Sequence, residues 1–304
     1  MSELHGWVIL DKPLGLGSTQ GVSAIKRALR QGGYAKAKVG HGGTLDPLAT
    51  GVLPIAIGEA TKLAGRLLDS DKVYEFTIRF GEQTDTLDGE GKVIATSDVR
   101  PELGSVAELL PRFTGAITQV PPIYSALKVD GSRAYDLARS GEDVTLAKRD
   151  VVIQALAVSG WLEHADHDDG IREVTLSAHV SKGTYIRSLA RDIALALGTV
   201  GHVVMLRRTK AGPFDLSRAI SLDKLDEAAK ARTLEHLLLP LRAGLDDIPA
   251  LVLTPDQAGA LRQGRVLAGI DALDGVTLAT FDDLPVALVE VRDRSVTVVR
   301  GLNL

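Results

Sequence analysis

Two stretches of this chain alternate apolar and polar residues regularly enough to decide what kind of layer they build. From Val73 to Phe80, Tyr74, Phe76, Ile78 and Phe80 fall on one side, with Glu75, Thr77 and Arg79 on the other, and the same period returns from Val174 to Val180. Successive side chains of a strand point to opposite faces, so each run predicts a strand with one buried face. Helical spacing stands between and around them: Val22, Ile25, Ala28 and Leu29 in Ser18 to Leu29, and a second helix from Tyr185 to Leu197 closed by Gly198. Trp7 to Leu10 is a short apolar run before a Gly/Pro break, so the chain opens as strand, turn, helix. Strands and helices mix without a steady βαβ rhythm, which places the chain in the α+β class.

After Leu239-Pro240 the texture changes to short β-rich runs, Ala250 to Leu253, Gly275 to Phe281, Val286 to Val291 and Ser295 to Val299. These predict a small separate β-domain starting near Asp246, giving domains of 1–245 and 246–304. A length of 304 residues agrees with two domains at roughly 150 residues each. No apolar run reaches the roughly 20 residues needed to span a bilayer, so the expected location is cytoplasmic.

Charge is uneven. The net charge is −4, but residues 1–80 carry +3, 81–171 carry −8, 172–219 carry +5 and 220–304 carry −4. An acidic total excludes a basic polyanion-binding tail, whereas two basic blocks meeting at one cleft would still hold phosphates, since local field captures a ligand. There is no cysteine, which excludes disulfides, thiolate metal sites and a cysteine nucleophile.

Three patterns imitate known sites. Gly15-Leu-Gly17-Ser-Thr-Gln-Gly21 approaches a dinucleotide fingerprint, but its spacing is off by one residue and a basic stretch, Lys26 to Lys38, follows where an acid is needed. No nucleotide cofactor is expected. His164, Asp166, His167, Asp168 and Asp169 crowd together like metal ligands but read as an exposed loop. Asp85, Asp88 and Glu90 lack calcium-loop spacing and read as a polar hairpin turn. No metal is expected.

Residues 39–51, VGHGGTLDPLATG, put four Gly, a His and an Asp between a strand and an apolar segment. On spacing alone the simpler reading is structural: Asp46 caps a helix with Pro47 in its first turn. The motif His41-Gly-Gly-Thr-Leu-Asp46-Pro-Leu-Ala-Thr-Gly51, however, resembles the catalytic motif of the bacterial tRNA pseudouridine-55 synthases of the TruB type. Leu10-Asp-Lys-Pro13, Gly58-Glu-Ala-Thr-Lys62, Lys72-Val-Tyr74 through Gln83-Thr-Asp-Thr86, Gln119 to Ala126, Ser181 to Arg187 and Leu206-Arg-Arg208 follow in that family's order. Gly17 and Gly42 depart from the usual pattern.

The resemblance implies a pseudouridine synthase domain with a mixed, mainly antiparallel sheet, a C-terminal PUA-like RNA-binding domain, and isomerisation of uridine 55 in the tRNA T-loop without cofactor or metal. It implies Asp46 acting at the ribose C1′ or C2′, as nucleophile or base, and Arg187 as the cation facing it. Arg187 also invites that role independently, because a cation in a helix's first turn opposes the helix dipole and needs an anion nearby. Tyr74 would stack on the uracil, Tyr185 and Leu206 would line the pocket, and His41 would stack within the T-loop as the target base flips out. Lys12 would support the loop or a phosphate. The segment from Pro121 to Arg149 resembles a mobile element closing over RNA. The expected partner is tRNA, at T-loop and elbow, with no guide RNA, no membrane, and the protein a monomer. Two other readings stay open here: a tRNA-folding protein with secondary or lost activity, and a guide-RNA-dependent synthase.

Overall fold

In the computed structural model, which describes residues 3–125, 127–129, 132–133, 146–163, 170–245 and 248–304, the alternating segments form the middle of one large sheet. The elements of the body are β1 (Gly6–Lys12), α1 (Ser18–Gln31), β2 (Val39–His41), β3 (Ala49–Ile57), α2 (Ala64–Asp69), β4 (Lys72–Phe80), β5 (Glu82–Thr84), β6 (Val93–Thr96), α3 (Leu103–Leu109) and β7 (Gly115–Gln119). They continue with β8 (Lys128–Val129), β9 (Ser132–Arg133), β10 (Arg149–Glu163), β11 (Ile171–Val180), α4 (Ile186–Ala196), β12 (Gly201–Ala211), β13 (Phe214–Asp215) and α5 (Leu222–Ala231). The sheet runs β1-β3-β12-β4-β11-β10-β7, with β2 added on β3 and β13 on β12. Among its described pairs only β12 against β3 is parallel.

The predicted apolar face of β4 is the one that is buried. Phe76 pairs with Leu176 on one side and Leu206 on the other, and Phe76, Ile78, Phe80, Val174 and Leu176 are 0–2% exposed. Burial of each such side chain contributes about 2 kcal/mol. Thr77, on the polar side, hydrogen-bonds Thr175 at 2.9 Å across the strand pair. Against this face lies α4, whose Ile186, Leu189, Ala190, Ile193 and Ala194 recur at helical spacing and are buried. It ends as expected at Gly198, with φ +75°.

Strand β3 changes partners along its length. At its start Ala49, Thr50 and Gly51 pair with Leu206, Arg207 and Arg208 of β12; at its end Ile55, Ala56 and Ile57 pair with His41, Gly40 and Val39 of β2. Residues 42–48 therefore bridge from the far half of β3 back to its beginning, across the end of β12. Gly51 is required there: its φ is +96°, and a Cβ would stand 2.2 Å from the Arg208 carbonyl oxygen.

The C-terminal part contains β14 (Ala250–Val252), α6 (Pro255–Arg262), β15 (Leu267–Ala268), β16 (Gly275–Phe281), β17 (Leu284–Arg292) and β18 (Ser295–Gly301), in the sheet order β14-β16-β17-β18-β15. The four strands anticipated from sequence are present. Helix α6, unanticipated, starts at a Thr254–Gln257 capping box with Pro255 in its first turn. Leu278 and Leu302 share an apolar cluster with Trp7, Ile9 and Leu241, so this sheet leans on the outer side of β1. The hydrogen bonds Lys62 Nζ to the Gly301 carbonyl (3.0 Å) and Asn303 N to Glu59 Oε2 (2.8 Å) tie the same seam.

The 164–169 cluster and much of the expected mobile segment, 126, 130–131 and 134–145, lie outside the described residues. Among the described residues no group of three His, Asp or Glu is arranged to hold a metal ion, and no helix is long and apolar enough to cross a membrane.

Candidate active site

The bridge at 42–48 is not a helix start. Asp46 and Pro47 form a turn closed by Ala49 N to the Asp46 carbonyl (3.0 Å), and the chain goes straight into β3. The capping reading fails because β12 claims the backbone of Ala49 to Gly51 as a strand partner. The Asp46 side chain is left free to turn elsewhere, and it meets Arg187: Nη2 to Oδ2 is 2.9 Å.

Arg187 is held from every side. Nη1 donates to the Thr86 carbonyl (2.9 Å) and lies 3.2 Å from Asp88 Oδ2, while Nη2 also donates to the Tyr124 carbonyl (3.0 Å). The helix-dipole argument is thereby answered with two carboxylates. Asp88 comes from the β5–β6 hairpin, the polar turn read from sequence, but its side chain is only 4% exposed. Thr86 Oγ1 (2.5 Å) and Glu90 N (3.1 Å) donate to Asp88 Oδ1. Nearby, burial and then the charges of Asp88 and Asp46 push the Glu90 carboxyl above its ordinary range. One guanidinium thus joins an inner carboxylate to an outer one, and the outer, Asp46, remains 45% exposed to the cleft.

The cleft has a volume of about 350 Å³, and Asp46, Tyr74, Tyr185, Arg187 and Leu206 all line it. Tyr185 precedes α4; its backbone is clamped by Gln119, whose Oε1 accepts from Tyr185 N at 3.1 Å and whose Nε2 donates to the Tyr185 carbonyl at 3.4 Å. Burial raises the Tyr185 hydroxyl above its usual pKa, so it stays a phenol and a proton donor at neutral pH. Tyr74 is half-buried on the apolar side of β4, with its ring at the cleft wall.

Two expected residues stand back from the wall. His41 ends β2, and its Nδ1 accepts from Gly43 N at 3.4 Å; burial, followed by the charge of Arg208, lowers its pKa. Lys12 is 0% exposed, and its Nζ donates to the carbonyls of Leu16 (2.5 Å), Pro13 (3.1 Å) and Pro47 (3.3 Å). Its contacts are those of a tie between the Asp-Lys-Pro turn and the Asp46 loop, with no surface left for a phosphate. The two departures from pattern are accommodated: Gly17 N donates to Gln20 Oε1 (2.7 Å) at the start of α1, and a Cβ on Gly42 would meet the Leu67 side chain at 2.6 Å.

Burial lowers both the Lys12 and Lys72 ammonium groups from 10.5 to about 8. Between these values the unfolded chain binds more protons than the folded one, so stability rises as pH climbs through that window. Unfolding free energy is expected to increase by about 1–3 kcal/mol from pH 7.5 to 9.5. Urea denaturation at both pH values checks this, and a Lys12→Met, Lys72→Met double variant should flatten the rise.

Residues 29–186 match the TruB family pseudouridylate synthase N-terminal domain, and residues 187–246 match the tRNA pseudouridylate synthase B C-terminal domain. The chain belongs to the TruB family of pseudouridylate synthases. It is 64% identical to a tRNA pseudouridine synthase B of Novosphingobium aromaticivorans, over 99% of this chain and 98% of that protein. It is 57% identical to a protein of the same name from Zymomonas mobilis subsp. mobilis, over 99% and 96%. Among solved structures, the Cbf5 complex with Nop10 and Gar1 aligns with a TM-score of 0.70 at 25% identity, covering 98% of this chain and 84% of that one.

Asp88 was missed as a site residue by sequence reasoning. The signal was present, since the hairpin adjoins Gln83-Thr-Asp-Thr86, but its partner lies 99 positions further along the chain.

Proposed function

We propose that this protein isomerises uridine 55 in the T-loop of tRNA to pseudouridine, with Asp46 as the group that engages the ribose. The observation that carries this is the half-exposed Asp46 carboxylate, fixed at 2.9 Å by a buried Arg187 at the edge of a cleft lined by two tyrosines and a leucine. The reaction breaks the N1–C1′ bond and forms a C5–C1′ bond; the C5 hydrogen leaves as a proton and N1 gains one, so no oxidant or cofactor enters the balance. Asp46 attacks C1′ or takes a proton at C2′. Tyr74 and Leu206 hold the freed uracil by stacking and apolar contact, and the Tyr185 phenol is placed to move a proton. Behind the wall, Lys12 supports the Asp46 loop and His41 stacks within the T-loop as the target base flips out. Entry of the base requires flipping, since the cleft admits a nucleoside and not a duplex.

Residues 1–245 serve as the catalytic domain and 246–304 as a PUA-like domain that extends RNA contact to the tRNA elbow. The enzyme works in the cytoplasm as a monomer on naked tRNA. The test is tritium release from an unmodified transcript labelled at uridine C5, with no guide RNA, metal or nucleotide added. Release from the uridine-55 transcript and none when that position is cytidine supports the proposal; bound tRNA without release would sink it.

A further inference from the structure

Arg208 is 1% exposed, one of the largest fully buried side chains in the protein, and among the described residues it forms no ion pair with a carboxylate. An arginine does not shed its proton to escape such a site, so its surroundings must compensate the charge. Three carbonyls do so: Nε donates to Val52 (2.8 Å), Nη1 to Thr44 (3.2 Å) and Nη2 to Gly43 (3.2 Å). Two belong to the 42–48 bridge and the third to β3, which receives it.

The bridge's other ties fall at its start and from Leu45 onward, among them Ser18 Oγ to the Leu45 carbonyl (2.9 Å) and Gly15 N to the Pro47 carbonyl (2.9 Å). Leu45 N donates to Ser18 Oγ (2.7 Å) and Gly42 N to the Pro54 carbonyl (2.8 Å). Lys12 takes Pro47, and Arg187 takes Asp46 itself. Gly43, at φ +142°, lies against the fork: a Cβ there would stand 3.6 Å from Nη1. Neighbouring Arg207 is differently engaged, in a two-pronged pair with Asp11 (3.0 and 2.8 Å). The side chain of Arg208 therefore ties the loop, at Gly43 and Thr44 just before Asp46, to β3.

We infer that Arg208 is a positioning residue of the reaction: by gripping the carbonyls of Gly43 and Thr44 against β3, it sets where Asp46 stands relative to Arg187 and the ribose. This rests on the reading of Asp46 as the reacting group. A guanidinium fork reaches three acceptors in one plane, which an ammonium cannot reproduce. Misplacement of a reacting group by about 1 Å costs roughly 100-fold in rate. The charge also reaches His41, whose protonation it disfavours together with burial.

The experiment compares Arg208→Met, Arg208→Lys and Asp46→Asn with the parent by single-turnover tritium release at saturating tRNA, tRNA affinity, thermal melting and titration of the His41 ring by NMR. Arg208→Met is expected to slow the single-turnover step roughly 100-fold with affinity held within about threefold, and to let His41 titrate at higher pH. Arg208→Lys is expected to melt near the parent temperature yet recover less than about a tenth of the rate. A folded Arg208→Met with a rate within about threefold of the parent overturns the inference. Should Arg208→Met fail to fold, the Lys variant decides alone, and full rate there makes Arg208 a stabilising residue only. Undiminished release by Asp46→Asn would instead remove the reading on which the inference stands.

Discussion

Asp46→Asn is expected to bind tRNA like the parent protein and to release no tritium above background, a loss of about 10⁴-fold or more. Asparagine keeps the side chain's shape and can still offer Arg187 an amide oxygen where the 2.9 Å contact now runs. The turn at Asp46 to Ala49 depends on backbone groups and survives as well. What disappears is the negative charge that attacks a sugar carbon or takes its proton. Binding affinity and single-turnover rate measured on one preparation separate the two effects. Activity within tenfold of the parent would contradict the role given to Asp46.

Arg187→Gln carries the second large effect, and it is double. Asp88, 4% exposed, loses the cation that lies 3.2 Å away, and breaking one side of a buried pair costs about 3–5 kcal/mol of stability. Asp46 loses its orienting contact, for a rate reduction of about 10²–10³. Removing the stranded inner carboxylate at the same time, in Arg187→Gln with Asp88→Asn, should restore much of the denaturant midpoint while leaving the rate low. Such a split between stability and rate identifies Arg187 as serving two acids. If the double variant regained activity along with stability, the orienting role would fall.

How legible this was in the sequence varies by element. Strands β4 and β11 were plain because each has one face in the core and one outside it. Strand β10 breaks its own period, with register shifts at Ile153/Ala155, Val158/Gly160 and Leu162/Glu163. Strand β12 shifts at Val203/Met205 and Arg208/Lys210 and buries a charged residue on its way, so alternation could not reveal it. The loop's chemistry came through resemblance, since the Asp-Pro pair by itself suggests a helix cap. The roles of Asp88 and Arg208, both within or beside matched blocks, escaped a sequence reading for a common reason: each is defined by a partner far along the chain, and a local pattern shows a charged residue without showing that it is buried.

The cluster that joins Trp7 and Ile9 to Leu278 and Leu302 gives the order of synthesis a consequence for folding. Leu278 and Leu302 of the C-terminal part complete the cluster on the face of β1 that carries Trp7 and Ile9. A ribosome-bound chain can assemble its central sheet and bring Phe214, Leu241 and Leu245 against Trp7 before Leu278 and Leu302 arrive to complete the cluster. Closure of this cluster therefore follows that of the central sheet.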